Sequence, residues 1–217
     1  MKKELKKLVL SAAIAIWALS GSQAIAETEK LTVAGGCFWC VESDFESVEG
    51  VNEVISGYTG GEVDNPTYKQ VVQGGTGHYE AVEILFDPEV VTREKLLKLF
   101  FRSVDPTDDG GQFCDRGMSY ATAIFVTDDE EKALAETVLA EAQESLGQKI
   151  VTPILPASTF YKAEDYHQDY YKGDNRVLSR FGYVKQSDAY KYYRKGCRRD
   201  ARVLQLWGDQ AAFAKFH

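Results

Sequence analysis

Leu31-Thr32-Val33-Ala34-Gly35-Gly36-Cys37-Phe38-Trp39-Cys40 carries the reading of the fold. A short apolar run enters a glycine pair, and beyond it Val41, Phe45 and Val48 recur at i, i+4 and i+7, the spacing of one helix face. The stretch predicts a strand, a tight glycine turn and a helix that starts near Cys37 and is closed by Gly50. Outward from it, Val51 to Tyr58 reads as a strand ending at the turn Gly60-Gly61, and Asn65-Pro66-Thr67 opens a short helix carrying Tyr68, Val71 and Val72. After the turn Gly74-Gly75-Thr76-Gly77, Val82, Ile84 and Phe86 alternate with Ala81, Glu83 and Leu85 as a strand does. Thr92 caps a helix through Val104 that Asp105-Pro106 stops, and Tyr120 to Val126 is β-rich. Thr127-Asp128-Asp129-Glu130 reads as a capping box for a long helix with Leu134, Val138, Ala142 and Leu146 on one face and Gly147 at its end. Strands alternating with helices make the class α/β (α+β), a single domain around one sheet. Beyond Tyr183 a more basic segment with Lys185, Lys191, Arg194, Lys195, Arg198, Arg199 and Arg202 forms an extended C-terminal tail that wraps the domain.

The chain of 217 residues has net charge −8, 44% hydrophobic and 27% charged residues, a globular composition that excludes disorder and fibres. An acidic balance argues against nucleic acid, whose phosphates need a basic face. It also discourages self-association, so a monomer is expected. Lys2, Lys3, Lys6 and Lys7 precede an apolar run from Leu8 to Leu19 and the small residues Ala24 and Ala26, the pattern of a secretory signal peptide over 1–26. The run is short for a membrane span, so no stable membrane association is expected once it is cleaved. The expected organisation is an exported, periplasmic protein with a domain over 27–185 and a tail over 186–217. Such a compartment permits disulfides, and a thiol kept reduced there needs its own electron supply.

Four cysteines, Cys37, Cys40, Cys114 and Cys197, are the residues to account for. Cys37 at a helix N-terminus meets unpaired N–H groups and the positive end of the dipole, which is expected to depress its pKa. A structural Cys37/Cys40 pair is the bland reading. A thioredoxin-like Cys37-x-x-Cys40 is a partial match, because glycine precedes it and the aromatics lie inside it. A zinc site lacks the two short ligand pairs it usually needs, so no metal is expected. Glu80, in Gly77-His78-Tyr79-Glu80-Ala81-Val82, starts an apolar strand, where desolvation would keep a carboxyl protonated and able to donate. Tyr68 and Tyr120 carry O–H groups suited to an oxygen bearing negative charge, though most tyrosines are packing residues.

Taken in order, Gly36-Cys37-Phe38-Trp39, Gly57-Tyr58-Thr59-Gly60-Gly61, Asn65-Pro66-Thr67-Tyr68, Gly77-His78-Tyr79-Glu80-Ala81-Val82, Asp105-Pro106-Thr107, Asp115-Arg116-Gly117 with Ser119-Tyr120, and Phe160 through Gln168 resemble the A-type peptide methionine sulfoxide reductases. The resemblance runs from about Leu31 to Tyr171. It implies an open mixed sheet flanked by helices in a two-layer, ferredoxin-like sandwich. It implies reduction of the S epimer of methionine sulfoxide, free or in protein, with no bound cofactor. Carried over, Cys37 is the nucleophile, Glu80 the acid, and Tyr68 and Tyr120 the donors to the sulfoxide oxygen. Phe38 and Trp39 hold the methyl group, and Asp115 contacts the backbone-like end of the substrate. A sulfenic acid on Cys37 would condense with a second thiol, and an external dithiol, a thioredoxin-like protein or dithiothreitol, would reduce the disulfide.

Two departures matter. Many members have Gly where this chain has Cys40, and many end in a glycine-rich tail with recycling cysteines, absent here. Cys197, in Lys195-Gly196-Cys197-Arg198-Arg199, is the expected recycling residue, with Cys40 second and Cys114 without a role.

Overall fold

The computed structural model describes residues 28–214. The proposed signal peptide falls outside them. Among the described residues no helix is long and apolar enough to cross a membrane. In chain order the elements are β1 (Glu29–Gly35), α1 (Phe38–Glu46), β2 (Val51–Thr59), α2 (Tyr68–Gln73), β3 (Tyr79–Phe86), α3 (Arg93–Phe101), β4 (Gly111–Gln112), β5 (Asp115–Arg116), β6 (Thr122–Val126), α4 (Asp129–Leu146), β7 (Ile154–Pro156), β8 (Tyr161–Lys162), β9 (Arg176–Ser179), β10 (Gly182–Lys185), α5 (Gln186–Gly196) and α6 (Arg199–Trp207).

The opening stretch places β1 inside the sheet. Six strands line up as β7-β6-β1-β3-β2-β8, all antiparallel neighbours except β6 and β7, so the sheet is mixed and open. Alternation sorts the side chains. Leu31 and Val33 of β1, Val54 and Tyr58 of β2, and Val82, Ile84 and Phe86 of β3 enter one core with Phe38, Val41 and Phe45 of α1, the leucines and phenylalanines of α3, and Ala135, Val138 and Ala142 of α4. The opposite face is thin. Ala34, Ala81 and Ala123 lie under Phe125, with Tyr79, Leu155 and Phe160 against them. Gly57 has no side chain because the Phe160 ring occupies that space; a Cβ there would lie 2.3 Å from its Cζ. Helices pack on one face, the two-layer α/β arrangement expected from the alternation.

Local boundaries moved for identifiable reasons. The expected helix from Thr92 to Val104 ends at Phe101, where the Ser103 N–H and hydroxyl both turn back to the Phe100 carbonyl. The capping box is shifted by one residue: Asp128 accepts from the Glu131 N–H at 2.8 Å and Glu131 accepts from the Thr127 N–H at 2.8 Å. Tyr120, expected to open the strand through Val126, instead ends a 3-10 turn over Met118–Tyr120, and β6 starts at Thr122.

The tail is where structure adds most. It is not an extended strap. A separate hairpin, β9–β10, leads into α5 and α6. Buried cations lock these helices under the first βα turn. Arg194 pairs with Asp44 at 2.8 Å and with Asp200 at 2.6 Å. Arg199, 2% exposed, donates to the carbonyls of Gly35 and Ser103 at 3.1 and 3.0 Å.

Candidate active site

Gly36, at φ +81°, turns the chain out of β1, and a Cβ there would lie 2.5 Å from Gln112 Cβ. The turn sets Cys37 as N-cap of α1, just beyond the C-terminal end of β1. Glu80 reaches the same place by strand parity, since it shares the helix-facing side of β3 with Val82, Ile84 and Phe86. It is 1% exposed, and its Oε2 accepts the Phe38 N–H at 3.1 Å. Oε1, also buried, has no hydrogen-bond partner among the described residues. Tyr68 begins α2 behind a Thr67/Gln70 capping box, and its N–H is held by Glu164 Oε1 at 2.9 Å. Tyr120 ends the 3-10 turn before β6. Asp115 comes from β5.

These groups line one cavity of about 60 Å³: Cys37, Phe38, Trp39, Tyr68, Glu80, Asp115, Tyr120 and, from the tail, Tyr193. A cleft of about 1000 Å³ between α1 and the tail helices is larger, but no thiol lines it. All seven residues expected for chemistry and substrate binding therefore meet in one place. Tyr193 was not anticipated. Its hydroxyl donates to Asp115 Oδ2, and no local sequence signal links residues so far apart.

Burial governs the protonation states. It drives the Glu80 carboxyl up to about 8, assisted by the Asp115 charge and opposed by the Phe38 N–H. Asp115 is also raised by burial, against the pull of the Tyr193 hydroxyl and the charges of Arg199 and Arg180. Tyr68 and Tyr120 are held well above the ordinary phenol value by burial and by the Glu80 charge, so both remain O–H donors. Cys37 reverses the expectation of a depressed thiol. Burial, its S–H···S contact with Cys40, and the negative charges of Cys40, Glu80 and Asp115 push it well above 9.0. One of the N–H groups at the helix start, that of Phe38, is taken by Glu80. Cys40 is the lowered thiol, because it accepts from Cys37 and faces Arg199 and Arg194.

Among the described residues, Cys37 and Cys40 are free, whereas Cys114 and Cys197 form a disulfide. Cys197 thus stands beside the site but bonded to the cysteine left without a role. It caps the C-terminus of α5, one helical turn after Tyr193, and Cys114 immediately precedes Asp115. The hydrogen bond between Asp115 and Tyr193 therefore ties the disulfide to the cavity wall.

The methyl-binding candidates are set by the segment after β8. Trp39 stacks on Tyr170, with ring centroids 3.8 Å apart and planes 7° from parallel, and its Nε1 donates to His167 Nδ1 at 3.1 Å. Phe38 lies 5.0 Å from the His167 ring. Burial lowers His167 to about 4, so it is neutral. The indole can only donate, so Nδ1 is the acceptor and the proton sits on Nε2. The sequence motif containing Glu164 and His167 was visible, but these contacts were not.

The family model for peptide methionine sulfoxide reductase matches residues 29–200. "Peptide methionine sulfoxide reductase MsrA 2" of Staphylococcus aureus strain MW2 is 47% identical over 186 residues, 85% of this chain and 98% of that protein. The protein of the same name from Rhizobium meliloti strain 1021 is 48% identical over 188 residues, 86% of this chain and 87% of its own. Among solved structures, reduced Mxr1 from Saccharomyces cerevisiae aligns with TM-score 0.66 and 30% identity over 74% of this chain and 94% of its own. Methionine sulfoxide reductase A of Corynebacterium diphtheriae aligns with TM-score 0.60 and 32% identity over 67% of this chain and 74% of its own. With a family match over most of its length and relatives this similar, the chain belongs to the peptide methionine sulfoxide reductase family.

Proposed function

We propose that the protein reduces the S epimer of methionine sulfoxide, free or in proteins, through a sulfenic acid on Cys37. One observation carries the reading: Cys37 shares a small buried cavity with a carboxyl that is protonated at neutral pH, two phenol donors and an aromatic wall. Cys37 Sγ attacks the sulfoxide sulfur while its proton passes toward Cys40, and Glu80 protonates the oxygen that Tyr68 and Tyr120 hold. The oxygen ends on Cys37, whose sulfur is oxidised by two electrons as the substrate sulfur is reduced by two. Phe38 and Trp39 take the methyl group, leaving the side chain's remaining arm toward Asp115. Oxygen, methyl and attacking sulfur on fixed sides admit one epimer.

Cys197 is the resolving thiol in this reading, with Cys40 as its competitor. Its attack on the sulfenic acid releases water and forms Cys37–Cys197. Cys114 then displaces Cys37, leaving the Cys114–Cys197 bond seen here. No cofactor is bound, and an external dithiol, thioredoxin-like in the cell, restores the thiols. The four lysines and apolar run within residues 1–26 support reading the protein as an exported, periplasmic enzyme that repairs oxidised exported proteins, and the acidic net charge supports a monomer. A second reading, an exported thioredoxin-like oxidoreductase, draws on the free, hydrogen-bonded Cys37 and Cys40.

Dithiothreitol-dependent loss of methionine sulfoxide, resolved by epimer, tests both. The expected result is consumption of the S epimer with the R epimer untouched. Insulin reduction with neither epimer consumed would establish the second reading instead.

A further inference from the structure

The hairpin β9–β10 stands apart from the main sheet. Its strands alternate, with Val177 and Val184 turned inward against the cluster that holds Cys37 and Cys40. One of the two outward cross-strand pairs is Arg176 with Lys185, and the other breaks the usual rule by carrying apolar side chains where solvent-facing residues are normally polar. Leu178 and Tyr183 are cross-strand partners there, 87% and 64% exposed. At the turn, Phe181 is exposed and packs 5.3 Å from exposed Tyr192 of α5. An exposed apolar group of this kind marks an interaction surface.

Its position says what it meets. Arg180, in the hairpin turn, lies over the Tyr193 ring at 5.6 Å and points toward Gly196, next to Cys197. The patch therefore adjoins the Cys114–Cys197 disulfide. Of the two sulfurs, that of Cys114 belongs to an exposed residue and Cys197 is 8% exposed. Thiol–disulfide exchange requires an accessible sulfur and a leaving thiolate that is stabilised. Cys114 meets the first need. Cys197 is flanked in the chain by Lys195 and Arg198, and Arg180 reaches toward the neighbouring Gly196, so cations stand near the leaving thiolate.

Charge narrows the partner. The whole chain is acidic, at −8, yet the hairpin carries Arg176 and Arg180, neither in an ion pair among the described residues. An acidic partner is repelled by the rest of the molecule and attracted here.

We propose that the outer face of β9–β10 is the docking surface for an acidic-rimmed protein dithiol that recycles the enzyme, and that Cys114 Sγ is the atom it attacks. The donor's thiolate forms a mixed disulfide with Cys114 and expels the Cys197 thiolate. The donor's second thiol then attacks its own sulfur, expelling the Cys114 thiolate. The enzyme disulfide gains two electrons, the donor leaves as a disulfide, and the donor's two protons go to the two thiolates. This rests on the reductase reading above.

The experiment compares two reductants on the full chain. One is dithiothreitol; the other is a thioredoxin regenerated by its reductase and NADPH. In a Leu178→Ser/Tyr183→Ser double variant the KM for thioredoxin is expected to rise about tenfold or more, while dithiothreitol turnover stays within about twofold. Arg176→Glu is expected to raise the same KM and flatten its dependence on salt. A thioredoxin whose second cysteine is serine is expected to be trapped on Cys114. An unchanged KM in the double variant, trapping on Cys197 or Cys37, or turnover with dithiothreitol but none with thioredoxin would each overturn the proposal. Absence of sulfoxide reduction by wild-type enzyme with either reductant would instead overturn the reading on which it rests.

Discussion

Glu80 shows how much a single side chain's environment decides. A strand residue of its type ordinarily faces solvent, but parity with Val82, Ile84 and Phe86 commits it to the core side. There it is satisfied on one oxygen by Phe38, and the other has no hydrogen-bond partner among the described residues. An acid titrating at about 8 keeps its proton at neutral pH and loses it in mildly alkaline solution. The reductive half-reaction, followed by single-turnover quench with methionine sulfoxide, is therefore expected to fall as pH rises past about 8 from loss of the Glu80 proton. Glu80→Gln is expected to slow it by roughly 10²–10³-fold, with substrate affinity little changed. An unaltered rate in that variant would remove Glu80 from the acid role. Stability follows the same linkage. The folded carboxyl binds its proton more tightly than the unfolded one at 4.5, so between about 4.5 and 8 the folded state holds more protons, and stability falls as pH rises through that window. Urea midpoints of wild type and Glu80→Gln across this range are expected to converge toward the acidic end.

At the scale of elements, the segment after β8 explains why a catalytic turn built from α1 stays in register with its surroundings. Glu164 binds the Tyr68 N–H and the Tyr58 hydroxyl, each at 2.9 Å, while Gln168 bridges the Ser56 N–H and carbonyl, each at 3.0 Å. His167 and Tyr170 then fix the two sides of the Trp39 indole. His167→Leu removes the indole's acceptor while keeping an apolar filler. The expected result is a KM for methionine sulfoxide raised about threefold to tenfold with kcat nearly unchanged, the cost of one lost buried hydrogen bond acting on binding. Trp39 fluorescence, read in a Trp17→Phe/Trp207→Phe background, is expected to shift in parallel. Equal losses in kcat and kcat/KM would mean that the segment acts on the chemical step instead.

Across the whole molecule, the tail closes the site from the far end of the chain. Arg194, Asp44 and Asp200 form a largely buried ion cluster joining α5, α1 and α6, and Arg199 caps the Gly35 carbonyl just before the catalytic turn. Removing one partner of such a cluster leaves charge in the core. Arg194→Leu is expected to cost about 3 kcal/mol in urea denaturation. If the loss stays under about 0.5 kcal/mol, the cluster does not anchor the tail. The same variant separates stability from recycling, since a loosened tail is expected to slow thioredoxin-driven turnover more than a single turnover of pre-reduced enzyme.

The sequence by itself determined what short-range pattern can encode. Glycines at 35 and 36 and the apolar spacing of Val41 and Phe45 dictate the strand, turn and helix. Period-two alternation assigns Glu80 to the buried face. Tertiary structure decided the rest, because the remaining answers are contacts between distant residues. Cys114 and Cys197 are 83 residues apart, Trp39 and His167 are 128 apart, and Tyr193 meets Asp115 across 78. A helix start predicts a depressed thiol at Cys37, yet burial, the contact with Cys40 and the negative charges of Cys40, Glu80 and Asp115 reverse it, and that same contact, with Arg199 and Arg194 nearby, hands the lowered pKa to Cys40. Local pattern names the reactive groups, while desolvation and long-range pairing set which of them holds the proton and which holds the disulfide.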